Sequence, residues 1–290
     1  MEIETLAKTS YRARRPFPWD AIFRHAILIG FSLSILFPLF WVLLLSVKSI
    51  PDAYTNKIWP KQFDFSHYGY AWKQIATLPR NIMNSAMVTI ASVILSVLSA
   101  TLAAYALVHL RTPGRRLIVG LLVASMFFPT RVTALVAIRE IQKNLHLLNT
   151  AYGLILPYTA MSLAISIFIM RGIFEGIPRD MAEAARIDGC GPWRTLWHVM
   201  LPMARNGIVV VVIVNFVAAW GEFLLASTLA NDQEMRTLPV VLASASGGQG
   251  AWAWPRIAAV YVIAIAPALI IFSLTQRWYM QGLQEGALKG

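Results

Sequence analysis

Cysteine occurs once, at Cys190, so no intrachain disulfide can form and no cysteine-built metal site exists. Charge is scarce as well: Asp, Glu, Lys and Arg make up 13% of the chain, where a soluble domain carries roughly a quarter. Acidic residues are the scarcer sign, 14 against 25 basic ones, for a formal net charge of +11. A nucleic-acid binder would gather such a surplus on one face. Here the basic residues are scattered between apolar runs, as they are when Lys and Arg hold loops on the inner side of a membrane. A phosphate-cradling Gly-x-x-x-x-Gly-Lys-Ser/Thr loop is missing, since Gly247-Gly248-Gln249-Gly250 has no lysine and no strand–helix context. No Gly-x-Ser-x-Gly elbow and no His-Glu-x-x-His pair is present. The histidines, at 25, 67, 109, 146 and 198, are too dispersed to suggest a metal centre. The chain is therefore expected to be no enzyme, to hydrolyse no ATP and to bind no metal or cofactor of its own. No tandem repeat or low-complexity tract organises it.

What the chain has is apolar length. Hydrophobic residues make up 57%, and the mean hydropathy is +0.59. A helix needs about 20 apolar residues to cross a bilayer. Ala26 to Val47, Asn81 to Val108, Leu147 to Met170 and Ile257 to Gln276 carry no charge. Leu117 to Ile138 is interrupted only by Arg131, and Asn206 to Ala230 only by Glu222. The expectation is an all-α membrane protein with six transmembrane helices. It divides into an N-terminal tail (1–25), a membrane domain (26–277) and a C-terminal tail (278–290). The first apolar run follows a basic tail and is too long for a cleavable signal, so it reads as a retained span. Within the third run, Pro129 is expected to end the helix and to leave Arg131 near an interface.

Six spans place both termini on one side. That side carries 15 of the 25 basic residues, so it is read as cytoplasmic. The 171–205 segment then faces the cytoplasm too. Glu222 stands inside an apolar run, where an ionisable group is costly and faces a cavity or a partner. It is either a pathway carboxylate or one paired with a neighbouring helix. One such acid is thin support for a proton-coupled carrier.

The most informative stretch runs from Ile177 to Pro202. Pro178 can open a helix, and Asp180 suits the positive end of its dipole. Ala182, Ala184 and Ala185 favour the helix, and Gly189 can end it in a left-handed conformation. Pro192 can open a second short helix, closed by Leu201-Pro202. Small alanines would allow a partner surface to approach, and Arg186 would orient Glu183 three residues away.

Glu183-Ala184-Ala185, three residues, Gly189, nine residues and Val199-Met200-Leu201-Pro202 together resemble the EAA motif of ABC-transporter permease subunits. Asp188 also fits, while Val199 stands for Ile and Cys190 for the usual Ala. Asn149 to Pro157 is similar to the stretch opening the fourth span of carbohydrate-type permeases. Trp220-Gly221-Glu222-Phe223 resembles their Trp-Asn-Glu-Phe. The ending, Gly282 to Gly290, resembles the second permease subunit of maltose-type importers.

The resemblance implies a type I ABC importer permease fold in a bacterial inner membrane, with a cytoplasmic coupling helix. It implies that Glu183, Ala184, Ala185, Asp188, Gly189, Leu201 and Pro202 receive motion from a separate ATPase. It implies a second permease subunit, two ATP-binding subunits carrying ATP-Mg, an extracytoplasmic solute-binding protein and a sugar or polyol substrate moved by alternating access. By position, Ser246, Gly247, Gly248, Gln249 and Gly250 resemble the loop that probes the binding protein. The competing class is a stand-alone secondary transporter, which would have no docking segment of this kind.

Overall fold

The structure, a computed structural model, describes residues 19–55, 57–127, 133–246 and 252–287. Arg131 and Gly247 to Gly250 lie outside the described residues, as do residues 1–18 and 288–290 of the tails. The described chain is helical, with one isolated antiparallel bridge between Lys48 and Phe63. In chain order the helices are α1 (Trp19–Ser46), α2 (Ile50–Ala53), α3 (Ser66–Gln74), α4 (Leu78–His109), α5 (Arg115–Phe127), α6 (Leu135–Asn144) and α7 (Ala151–Glu175). They continue with α8 (Arg179–Ile187), α9 (Pro192–Met203), α10 (Arg205–Trp220), α11 (Leu224–Leu229), α12 (Leu238–Ser246) and α13 (Trp254–Ala287).

Among the described residues, α1, α4, α7 and α13 each contain a stretch long and apolar enough to cross a membrane; the α9–α10 pair, bent by 79°, makes a fifth if counted as one span. Among the described residues one of the six expected spans is broken, and another is described only in part. Of the third, the described residues show α5, 13 residues with roughly 20 Å of rise against a hydrocarbon core of about 30 Å, and then α6; Pro129, expected to end the helix, lies between them outside the described residues. The chain resumes as α6, which carries Arg139, Glu140, Gln142 and Lys143 and is amphipathic instead of apolar. The fifth expected span divides. Its helix α10 ends at Trp220, and a new short helix, α11, starts after Glu222. The fourth runs past its expected end, because Arg171 is neutralised by Glu175 one turn on at 2.8 Å.

The bundle centres on α4 and α7, which share the largest helix–helix contact. The buried face of α4 reads Asn81, Asn84, Ser85, Val88, Thr89, Ser92, Ser96, Ala100, Thr101 and Ala104, a helical stripe of small residues. Small side chains let two backbones approach where no hydrophobic effect drives helices together. Ser92 and Ser96 point their hydroxyls at the Ile155 and Thr159 carbonyls, at 3.4 and 3.5 Å. By contrast α1 is clad outward in Phe23, Ile27, Leu28, Phe31 and Leu33, all exposed, and rests on α13. Exposed apolar cladding of that extent belongs against lipid or another membrane chain.

One end of the bundle is capped by the 48–74 segment. Lys48 is buried there, donating from Nζ to the Lys57 carbonyl at 2.6 Å with its charge over the Trp41 ring. Asp64 accepts from Ser66, and that hydrogen bonding holds its carboxyl below the usual carboxylate range.

Candidate functional site

Residues 178–204 form a helix, a turn and a bent second helix that stand at one end of the bundle. Pro178 is the N-cap of α8, with extended ψ 133°, and Asp180 lies in the first turn. Gly189 adopts φ +79°, the left-handed turn that reverses the chain. A Cβ placed at 189 would meet nothing in this chain. Pro192 opens α9, whose Leu196–Met200 stretch is wound as a π-helix. Pro202 follows this widened turn, and a widened turn beside a proline is a recognised cause of a kink. The chain bends there by 79° into α10.

The segment has an inner and an outer surface. Ala182, Leu196 and Met200 pack inward with Tyr105, Leu107, Met170 and Phe174 of the long helices. Ala185 is also buried, at 6% exposure. This corrects the expectation that all the alanines are open to a partner: only Ala184 is exposed, together with Glu183, Asp188, Gly189 and Pro202, while Leu201 is half-buried. The reason is helix geometry. Ala182 and Ala185, three residues apart, share a face, and that face is the one α8 needs to attach itself to the bundle. The outward surface instead presents Met181, Ile187, Trp193, Trp197 and Met203, with Ile187 86% exposed. Arg186 does not orient Glu183; it donates from Nη2 to the His109 carbonyl at 3.0 Å, at the end of α4.

Glu222 lies far along the chain from this segment and sits at the start of α11. Its carboxylate accepts from the Leu225 N–H at 3.0 Å and the Ala226 N–H at 3.1 Å. It also accepts from the buried Tyr158 hydroxyl of α7 at 3.0 Å. Of the two sequence readings, the paired carboxylate is the one these contacts describe. At the other end of α11, Arg139 donates to the Thr228 carbonyl at 2.9 Å. Asn149, itself at φ +56°, then accepts from the Asn231 and Asp232 N–H groups at 2.7 and 3.0 Å. Thus α11 is held at both ends.

A second bracket lies at the end of α4 remote from α8. Asn81 Nδ2 donates to the Gln233 and Arg236 carbonyls, both at 2.9 Å, and Asn84 Nδ2 to the Glu234 carbonyl at 2.7 Å. The Ser85 hydroxyl accepts from the Leu238 N–H at 2.7 Å. Beside this bracket is an open cleft of about 320 Å³ bordered by Gln74, Thr77, Gln233, Arg236, Ser244 and Trp252. Ser246 ends α12 near this cleft, and Gly247, Gly248, Gln249 and Gly250 lie outside the described residues. Sequence reasoning missed Tyr105, Asn81 and Asn84. The signal was available: polar residues recurring at helical spacing inside a run otherwise long and apolar enough to need none.

The chain belongs to the family of binding-protein-dependent transport system inner membrane components, whose model matches residues 92–284. It is 34% identical to the diacetylchitobiose uptake system permease protein NgcG of Streptomyces coelicolor, across 98% of this chain and 93% of that protein. It is 38% identical to the sulfoquinovosyl glycerol transport system permease protein SmoH of Agrobacterium fabrum, across 88% and 89%. Its fold matches, with a TM-score of 0.79 and 24% identity, a chain in the crystal structure of a bacterial ABC transporter involved in the import of the acidic polysaccharide alginate. The match covers 91% of this chain and 100% of that one. The chain is thus a multi-pass inner-membrane permease subunit of a binding-protein-dependent importer. It is not a stand-alone carrier, and the ATPase is a separate subunit.

Proposed function

We propose that this chain is one of two different permease subunits through which a sugar or polyol crosses the membrane by alternating access. The energy comes from two ATP-binding subunits carrying ATP-Mg, and the solute arrives on an extracytoplasmic binding protein. In this reading the chain crosses six times. The third crossing includes α5, and the fifth is made by α10 together with α11. Both termini are cytoplasmic, with 1–25 and 278–290 as tails on that side, and Ser246 to Gly250 face the binding protein. The carbohydrate assignment is supported by relatives named for diacetylchitobiose, sulfoquinovosyl glycerol and, at 29% identity, trehalose in Mycobacterium tuberculosis.

The observation that carries the coupling role is the outward surface of residues 179–203. A loop between spans has no reason of its own to expose Ile187, Trp193 and Trp197 beside Glu183 and Asp188. A knob of apolar and acidic residues on a tight turn suits a cleft in a partner. Glu183, Ala184, Asp188 and Gly189 dock, while Ala185, Leu201 and Pro202 fix the shape of what docks. Glu222 serves the pathway indirectly, by holding α11.

Gly189→Asp tests this. The site has room in this chain and the cost of positive φ is modest for Asp, so insertion and assembly should persist. The new side chain would project into the docked partner. ATP hydrolysis without solute uptake is the expected result in reconstituted vesicles. Normal uptake by the variant, with no crosslink from Ala184→Cys to the ATPase in the otherwise unchanged chain, would remove the role.

A further inference from the structure

We infer that α4 is the rod that transmits motion from the coupling segment to the opposite end of the protein, with Tyr105 and Arg186 as positioning residues at its inner end. The inference rests on the coupling role proposed above for residues 179–203. That segment is joined by the chain itself to α7 before it and to α10 after it. To α4 it is joined only by non-covalent contacts, so those contacts decide whether α4 follows.

Two hydrogen bonds make the joint. The Tyr105 hydroxyl donates to the Pro192 carbonyl at 3.0 Å, at the first turn of α9. Arg186 donates from α8 to the His109 carbonyl at 3.0 Å. That carbonyl belongs to the last turn of α4, where carbonyls have no helical partner and carry the negative end of the dipole. A guanidinium there makes a charge-assisted bond, stronger than a neutral one. Each half of the coupling segment is therefore pinned to α4 separately. Tyr105 is 5% exposed and is wedged edge-on against Phe174, with their centroids 6.1 Å apart, so its hydroxyl has little freedom to swing away. Behind the bonds, Tyr105 and Leu107 share a core with Ala182, Leu196 and Met200.

The far end of α4 is pinned in the same manner. Asn81, Asn84 and Ser85 are buried and bond the backbone of Gln233, Glu234, Arg236 and Leu238. On the surface, Arg80 pairs with Glu234 at 2.7 Å. These amides satisfy groups of irregular backbone that would otherwise be unpaired, so the bracket cannot slip without exposing them. Tyr105 and Asn84 lie 21 residues apart on one helix, about 30 Å along its axis. A helix is stiff over that length. Turning or sliding α4 at the coupling end therefore displaces the 233–238 segment at the other.

The test uses the full importer, reconstituted from this chain, the second permease, the ATPases and the binding protein. Variants are Tyr105→Phe, which keeps the ring and its packing, Arg186→Gln and Asn84→Ala. The readouts are solute taken up per ATP hydrolysed and stimulation of ATPase activity by the binding protein. Assembly is followed by the crosslink from Ala184→Cys to the ATPase. Tyr105→Phe should lower the stimulation about fivefold, as expected for one hydrogen bond, and Asn84→Ala, which loses its bonds to Glu234 and Arg236, at least as much, with the crosslink retained. The double variant should lose less than the product of the two single effects, since both weaken one path through α4. Arg186→Lys, which keeps a charged donor, should recover most of what Arg186→Gln loses. Full stimulation in Tyr105→Phe with the crosslink intact would overturn the inference, and so would effects that simply multiply in the double variant. Loss of the crosslink in Tyr105→Phe would show a bond that serves assembly and not transmission. Absence of the crosslink in the parent chain would instead defeat the coupling reading itself.

Discussion

Gly153 stands in the first turn of α7, within the stretch that begins at Asn149, and its reason for being glycine is visible only in three dimensions. A Cβ there would collide with the Leu147 backbone carbonyl. The contact arises because Leu147, at the entry to α7, folds back over the first turn. Its carbonyl also accepts from the Thr150 hydroxyl, and Thr150 in turn caps Gly153 N–H at 3.1 Å. Backbone cannot rotate away as a side chain can. Gly153→Ala should therefore cost about 1–3 kcal/mol, the usual range for overpacking, and lower the unfolding temperature of the detergent-solubilised complex. Gly207→Ala is the comparison, because the atoms nearest its Cβ belong to the Ile173 side chain and not to backbone. Equal melting temperatures for the Gly153 variant and the parent would show that the turn is looser than described. The sequence signals a similarity over Asn149 to Pro157, but not this cause. Asn149 shows the same gap: its side chain bonds backbone 82 residues away, a separation no local pattern encodes.

At the scale of elements, counting uncharged residues locates runs of apolar chain but not the places where a helix stops inside them. α1, α4, α7 and α13 are legible because each is long, uncharged over its core and free of a competing start signal. The fifth run looks just as continuous, yet Glu222 starts a new helix within it by accepting the first N–H groups of α11. A carboxylate lying between the end of α10 and the start of α11 does the work of a cap, and this is local chemistry hidden inside a hydropathy average. The same fact separates the two readings of Glu222. A cap that also holds Tyr158 should tolerate loss of charge better than loss of shape. Glu222→Gln keeps one acceptor oxygen, so it should cost about 1 kcal/mol of stability while leaving the solute KM unchanged. A carboxylate that contacts the solute would behave oppositely, with normal melting and a raised KM. Thermal unfolding and initial uptake rates on one preparation distinguish these outcomes.

For the whole molecule, the scarcity of cysteine makes the direction in which the bundle lies in the bilayer measurable. Cys190 is the only thiol in the chain and sits half-buried in the turn between α8 and α9, next to Gly189. If the basic residues orient the protein as proposed, a membrane-impermeant maleimide should reach Cys190 in inverted vesicles and not in right-side-out ones. A Cys190→Ser chain carrying Gln62→Cys should show the reverse pattern. Gln62 is exposed in the 48–74 segment, which joins α1 to α4 at the end of the bundle away from α8. The pair of labels fixes direction without relying on any one site's reactivity. The same thiol reports docking, because the turn that carries it is the part proposed to enter the ATPase cleft. Labelling of Cys190 in inverted vesicles should therefore slow when the ATP-binding subunits are present and recover when they are stripped. Labelling from the outer side would invert the topology and take the docking surface with it. An unchanged rate with and without the ATPases would keep the topology and place the contact elsewhere on the inner face.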